Sequence, residues 1–151
     1  MWKVAWQMVM LKPIIGLGLH TFSHNYMIYC PAGYPFYKEV APYAHNIYMQ
    51  MLAETGFLGL SAFLAMIFTL ANHSLKAYHM IKDKFLKACL LGLWGCMIAY
   101  LTHGLLESSL YTSQGAVLFW LLLGLMMGLN RLISNFSLQK KDFWYNTAII
   151  F

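Results

Sequence analysis

Charged side chains make up only 10% of this 151-residue chain, against about 25% in a typical soluble domain. Apolar residues make up 60%. That leaves too little polar surface to cover a water-exposed globule, which excludes a disordered chain and an ordinary cytosolic enzyme. Cysteine is sparse as well: Cys30, Cys89 and Cys96 are an odd set. Two of them fall in one apolar run, so a disulfide framework is excluded. There is no GxSxG elbow, no phosphate-binding loop and no dinucleotide fingerprint, since Gly16-x-Gly18 lacks a third glycine. Five acidic residues stand against ten basic ones, for a net charge of +5. In a soluble protein that excess would point to nucleic acid. Here the basic residues flank apolar runs and read as membrane topology, with no nucleic-acid partner.

What the chain does have is three apolar runs: Phe57–Ala71, continuing to about Leu75 through Asn72-His73-Ser74, then Ala88–Leu106 and Ala116–Ile133. Each is near the roughly 20 residues that span ~30 Å of hydrocarbon. Backbone groups in lipid must pair within their own segment, so all three are expected to be helices. The expected fold is all-α, a multi-pass helical membrane protein with about three spans. Residues 1–56 read as an extracytoplasmic loop region with an interfacial helix, 57–133 as the transmembrane region and 134–151 as a cytoplasmic tail. Orientation follows from the lysines. Lys76–Lys87 holds four lysines and one aspartate, and the tail carries Arg131, Lys140 and Lys141 against Asp142. The 107–115 connection has one glutamate and no lysine or arginine. Positive-inside logic puts 76–87 and the C-terminus in the cytoplasm and His45 outside.

Within the first 56 residues, Trp2–Leu11 has Trp2 and Trp6, with Lys3 and Gln7 sharing a face, as expected of a helix in the headgroup layer. Lys3 interrupts it and Lys12-Pro13 follows without a small-residue cleavage site, so it does not read as a signal peptide. Ile14–Phe22 is punctuated by glycine. Cys30–Pro42, with Pro31, Gly33, Pro35 and Pro42, reads as a loop. Helix is expected to resume near His45 and run on into the first span.

His45-Asn46 is the sharpest local feature. Nine residues separate it from Gly56, and Gly59 follows after two more. On a helix, His45, Tyr48 or Met49, and Leu52 would share related faces, with His45 at the outer end. An imidazole at the water boundary can take a proton from a sugar hydroxyl; alternatively, His45-Asn46 simply caps the helix, asparagine being a preferred cap. Glu54 could orient His45, or serve as an interfacial carboxylate bonded to nearby backbone. A charge in mid-membrane would cost about 2.5 kcal/mol or more, so the hydrocarbon boundary is expected beyond it. His103 and Glu107 are four apart at the outer end of the second span. They read either as the lining of a polar cavity shared with His45 or as a local pair closing the helix. His20 and His24 are also four apart, but no segment carries a complete zinc signature, and no metal is expected. His73 and His79 read as interfacial residues on the inner side.

At these residues the sequence resembles the O-antigen ligase and O-antigen polymerase superfamily of bacterial membrane proteins. Lys12-Pro13-Ile14-Ile15-Gly16-Leu17-Gly18, with Phe22, looks like the stretch ahead of the family's signature loop. His45-Asn46, nine residues, Gly56-x-x-Gly59 matches the His-Asn signature, and His103-Gly104-Leu105-Leu106-Glu107 looks like a late His-Gly…acidic span. The resemblance extends from about residue 2 to 133. It implies transfer of a glycan from an undecaprenyl-diphosphate carrier to an acceptor hydroxyl outside the bacterial cytoplasmic membrane, without a metal or other cofactor. His45 would be the base and Asn46 its local support. Glu54, His103, Glu107, Lys12 and Lys38 would line the substrate site. The family's diphosphate-holding arginines have no counterpart, since the single arginine is Arg131. Lys12 and Lys38 lie on the expected side, but lysine does not reproduce a bidentate fork on phosphate. With fewer spans than the family, the chain is expected to be the C-terminal part of a larger protein, working with membrane lipid and a separate N-terminal membrane subunit. The alternative is a catalytically inactive scaffold or remnant.

Overall fold

The computed structural model describes residues 1–33 and 43–148, with side chains in the last helix through residue 135. Lys38, Pro35 and Pro42 lie outside the described residues. The first helix, α1 (Trp2–Leu11), forms where expected. It buries Val4, Ala5, Met8 and Val9, a stripe at helical spacing, and leaves Lys3, Trp6 and Gln7 exposed on the other face. The second, α2 (Phe22–Tyr29), adds Phe22 and Tyr26 to the same cluster. Together they cover Leu52 and Ala53 of α3 (Ile47–Met80). The N-terminal region is therefore packed onto the long helix.

Helix α3 is broken at Gly56, whose φ of 66° and ψ of −167° are not helical. A break in the helix orphans carbonyls on one side and N–H groups on the other, at several kcal/mol each if left in hydrocarbon. The segment after α1 takes them up. Leu17 N donates to Ala53 O and Gly18 N to Glu54 O, both at 2.9 Å. Phe57 N donates to Pro13 O at 2.8 Å and Leu58 N to Ile14 O at 3.1 Å. The two backbones touch at two glycines. A Cβ on Gly16 would strike the Glu54 carbonyl, and one on Gly56 would strike the Ile14 carbonyl. Both glycines also have positive φ, a region that other residues enter only with strain. The glycines of the first two motifs are thus two sides of one contact.

Beyond the break, α3 continues to Met80, and a turn of Ile81-Lys82-Asp83 leads into α4 (Lys84–His103). Asp83 caps α4, its Oδ1 accepting from Phe85 N at 2.7 Å and Leu86 N at 2.9 Å. The basic stretch 76–87 is therefore mostly helix, with only three residues of turn. A short 3-10 turn (Ser109–Tyr111) precedes α5 (Ser113–Ala148). The backbone of residues 134–148, expected as a tail, continues this helix. Helix α5 packs on both α3 and α4. Its Phe119 is fully buried, with ring centroids 5.7 Å from Phe63 and 5.5 Å from Tyr100. Met97, Leu122 and Met126 fill the space around it.

The outward faces are apolar too: Leu64, Phe68, Leu91, Ile98, Leu121 and Leu125 are exposed, which suits lipid and not water. Three helices are long and apolar enough to cross a membrane: Ile47–Met80, Lys84–His103 and, within α5, Ser113–Asn135. No strand occurs among the described residues, and the fold is all-α as expected. Substituting Gly16 or Gly56 by Ala should lower the thermal midpoint of the purified protein in detergent, since strained backbone alone costs about 1–3 kcal/mol. Gly92→Ala and Gly95→Ala, where nothing lies within 4 Å of an added Cβ, should not. An unchanged midpoint for G16A would contradict the close contact.

Candidate functional site

The His-Asn motif lies just before α3, not on it. Asn46 is the N-cap, its side-chain oxygen accepting from Tyr48 N and Met49 N at 2.9 Å. His45 stands one residue earlier with φ of 52°, in the left-handed region. The expected shared face of His45 with Met49 and Leu52 is thereby corrected, because the helix begins at Ile47. A non-glycine residue at positive φ is uncommon, though histidine enters this region more readily than most, and its surroundings hold it there.

The end of α4 enforces it. Asn46 Nδ2 donates to Leu105 O at 2.9 Å, and Asn46 N donates to the buried Ser108 hydroxyl at 3.1 Å. Ile47 N donates to Gly104 O at 2.8 Å, and the Tyr48 hydroxyl to Leu101 O at 2.9 Å. Gly104 sits against Ile47, whose side chain would meet a Cβ at that position. Asparagine therefore caps one helix with its oxygen while its nitrogen ties down the end of another. The cap reading of Asn46 describes its bonds to Tyr48 N and Met49 N, while its amide nitrogen goes to Leu105 O.

These staples bring His45 to Glu107. The imidazole Nδ1–H donates to the carboxylate, 3.0 Å from Oε1 and 3.2 Å from Oε2. With Nδ1 carrying the proton, Nε2 is the free acceptor. The side chains are 45% and 41% exposed, respectively, so the pair is open to solvent. Helix α4 ends at His103, and Glu107 follows in the turn, its N–H donating to His103 O at 3.1 Å. The hydrogen bond from His45 holds the Glu107 carboxyl below its ordinary range; burial opposes it as the next largest effect, and the Ser108 N–H and the neighbouring His45 and His103 add smaller lowering contributions.

Glu54 takes another place. It is 2% exposed, and its carboxylate accepts from His20 N at 2.9 Å and from Phe22 N, at the start of α2, at 3.1 Å. The exposed N–H groups of a helix start favour an anion there. The backbone-bonded alternative describes these contacts, and the carboxylate that meets His45 is Glu107. Gln50 lies between the two sites, its Oε1 accepting from Ala44 N at 3.0 Å and its Nε2 3.5 Å from Glu54 Oε1. Burial, with the Glu54 charge adding to it, pushes the Tyr111 phenol well above its ordinary range. Lys12 is exposed at the C-terminal cap of α1, and no described contact ties it to His45.

Gln50 and Ser108 are parts of the site that the sequence pattern did not single out. A signal for Gln50 was available: Asn46, Gln50 and Glu54 recur every fourth residue, a polar stripe on one helix face. Ser108 had none, because its partner lies far away in sequence. Among the described residues, no group of three or more His, Cys, Asp or Glu side chains is placed to hold a metal.

Residues 1–64 match the family model described as O-antigen ligase. The matched stretch holds Lys12–Gly18, His45-Asn46, Gly56 and Gly59, so the resemblance is shown over those two motifs. It stops short of the His103–Glu107 stretch, which joins them through the contacts above. No curated protein and no solved structure matches the chain.

Because the folded protein holds the Glu107 carboxyl below its ordinary 4.5, it binds fewer protons than the unfolded chain in mild acid. The contact's contribution to stability is therefore full above about pH 4.5 and is lost as the pH falls through the lowered value. Partial exposure keeps it small. Denaturation midpoints of wild type and Glu107→Gln should differ at neutral pH and converge in acid. A gap that widens in acid would contradict the pairing.

Proposed function

We propose that this chain is the C-terminal part of a membrane glycan ligase or polymerase. It would transfer a polysaccharide from undecaprenyl diphosphate to an acceptor hydroxyl on the outer side of the bacterial cytoplasmic membrane. The single observation that carries the reading is the exposed imidazole of His45 with its Nδ1–H on Glu107. The match of residues 1–64 to the O-antigen ligase family supports the coarser ligase or polymerase assignment.

His45 Nε2 removes the proton from the acceptor hydroxyl as its oxygen attacks the anomeric carbon of the lipid-linked sugar. The new glycosidic bond forms, and the bond from that carbon to the diphosphate oxygen breaks. The diphosphate leaves with the electron pair. Glu107 fixes the tautomer and stabilises the imidazolium, as a carboxylate does in other His-carboxylate pairs. Asn46, with its bonds to Leu105 and Ser108, holds the imidazole in register. His103 and Lys12 are candidates for contacts to the anionic donor, as is Lys38 by its place in the sequence.

One observation favours the second reading, an inactive scaffold. The single arginine, Arg131, lies far along α5 from the turn that holds Glu107, so the leaving diphosphate has no guanidinium from this chain. It would have to come from outside residues 1–151. In the complete assembly, His45→Ala should reduce polymer on a gel by ~100-fold or more, the range for loss of a general base. Glu107→Gln should reduce it less. Undiminished polymer with H45A would remove His45 from the mechanism.

A further inference from the structure

A groove of about 810 Å³ opens between α3 and α5, away from His45. Its walls include Leu70, Leu123 and Met127, and one end carries His73, Lys76 and Arg131. No acidic residue lines it. Among the described residues, neither Lys76 nor Arg131 pairs with a carboxylate. Beside it, Asn130 Nδ2 donates to the Ser74 hydroxyl at 2.9 Å and ties α5 to α3.

Depth identifies the occupant. Lys76 lies about 30 Å of helix beyond Gly56, the thickness of the hydrocarbon layer. Arg131 lies about 27 Å beyond the start of α5 at Ser113. Both cations therefore reach the headgroup level of the leaflet that faces away from His45, and the apolar walls run from there into the hydrocarbon. A free phosphate would match only the cationic end, and an uncharged lipid only the walls. An anionic phospholipid matches both, its phosphate accepting from the Arg131 fork.

We propose that this groove binds an anionic phospholipid, with the phosphate between Lys76 and Arg131 and an acyl chain against Leu70, Leu123 and Met127. The site is separate from the His45–Glu107 pair and does not depend on the reading of that pair. Basic pockets between spans commonly hold anionic headgroups; here the cations and the apolar walls belong to one cavity, which selects a ligand with both parts.

Native mass spectrometry tests it on the full chain in detergent with equal phosphatidylglycerol and phosphatidylcholine. The wild type should retain phosphatidylglycerol in preference. Each cation removed should weaken retention about fivefold, from ~1 kcal/mol per basic residue near an anionic surface, so Lys76→Gln with Arg131→Gln should largely abolish the preference. Arg131→Lys should keep most of it, and Lys3→Gln, at the other end of the molecule, should leave it intact. Equal retention of the two lipids by the wild type, or an unchanged preference in K76Q/R131Q, would overturn the proposal. So would displacement of the lipid by millimolar inorganic phosphate, which would indicate a free-anion site. A lipid-free dimer would overturn it in favour of a second copy seated in the groove.

Discussion

The backbone just ahead of α3 is tied to the turn that ends α4, and the candidate site depends on that junction. Asn46 bonds to Leu105 and Ser108, Ile47 to Gly104 and Tyr48 to Leu101. Within this clamp, His45 is held at positive φ and meets Glu107. The two partners are 62 residues apart in sequence, so only the packing of the helices brings them together. Release of the clamp would leave an imidazole on a free loop with no fixed tautomer. The constraint also explains why a polar side chain with both donor and acceptor atoms stands at position 46. A serine or aspartate could accept the cap bonds, but neither could also donate to Leu105 from an amide nitrogen.

The break at Gly56 serves the same region from the other side. Pairing of the Pro13–Gly18 backbone with Ala53–Leu58 holds the first turns of α3 against α1 and α2. Buried Glu54 reinforces the contact through the N–H groups of His20 and Phe22. Gln50 connects that carboxylate to Ala44, the neighbour of His45. A polar chain thus runs along one face of α3, from the loop ahead of α2 to the backbone of Ala44, one residue before the candidate base. Such a network is worth building in an apolar setting only if its groups are satisfied, and these groups are.

Much of the fold was readable from the residues, because hydrophobic run length alone distinguishes spans from loops when charge is so scarce. The three spans and the helix at Trp2–Leu11 appear in the structure where the pattern puts them. Boundaries were less readable. The lysine-rich stretch looked like a long connection, yet Lys76 and Lys87 are helical and the turn is short, since lysine is a good helix former that tolerates the headgroup layer. At the site, His45, Asn46 and Glu107 were each marked by type and spacing. A polar cavity shared by Glu107 with His45 was one of two readings open for that residue; the backbone that builds the contact was not legible, because helical spacing put His45 on α3. Helix periodicity was extended back past Ile47, where cap geometry takes over. Glu54 was harder still, since nothing local shows that a carboxylate will be buried against the start of another helix.

The central claim is that the carboxylate of Glu107 holds the proton of His45 on Nδ1 and leaves Nε2 to accept. Nitrogen-15 NMR of the protein labelled at histidine, in a lipid bilayer at neutral pH, reads this directly, with His45 assigned by substitution. The expected result is a protonated Nδ1 with magnetisation transfer to the Glu107 carboxyl carbon, both lost in Glu107→Ala. A bare Nδ1, or a His45 signal that the loss of Glu107 does not alter, would contradict it.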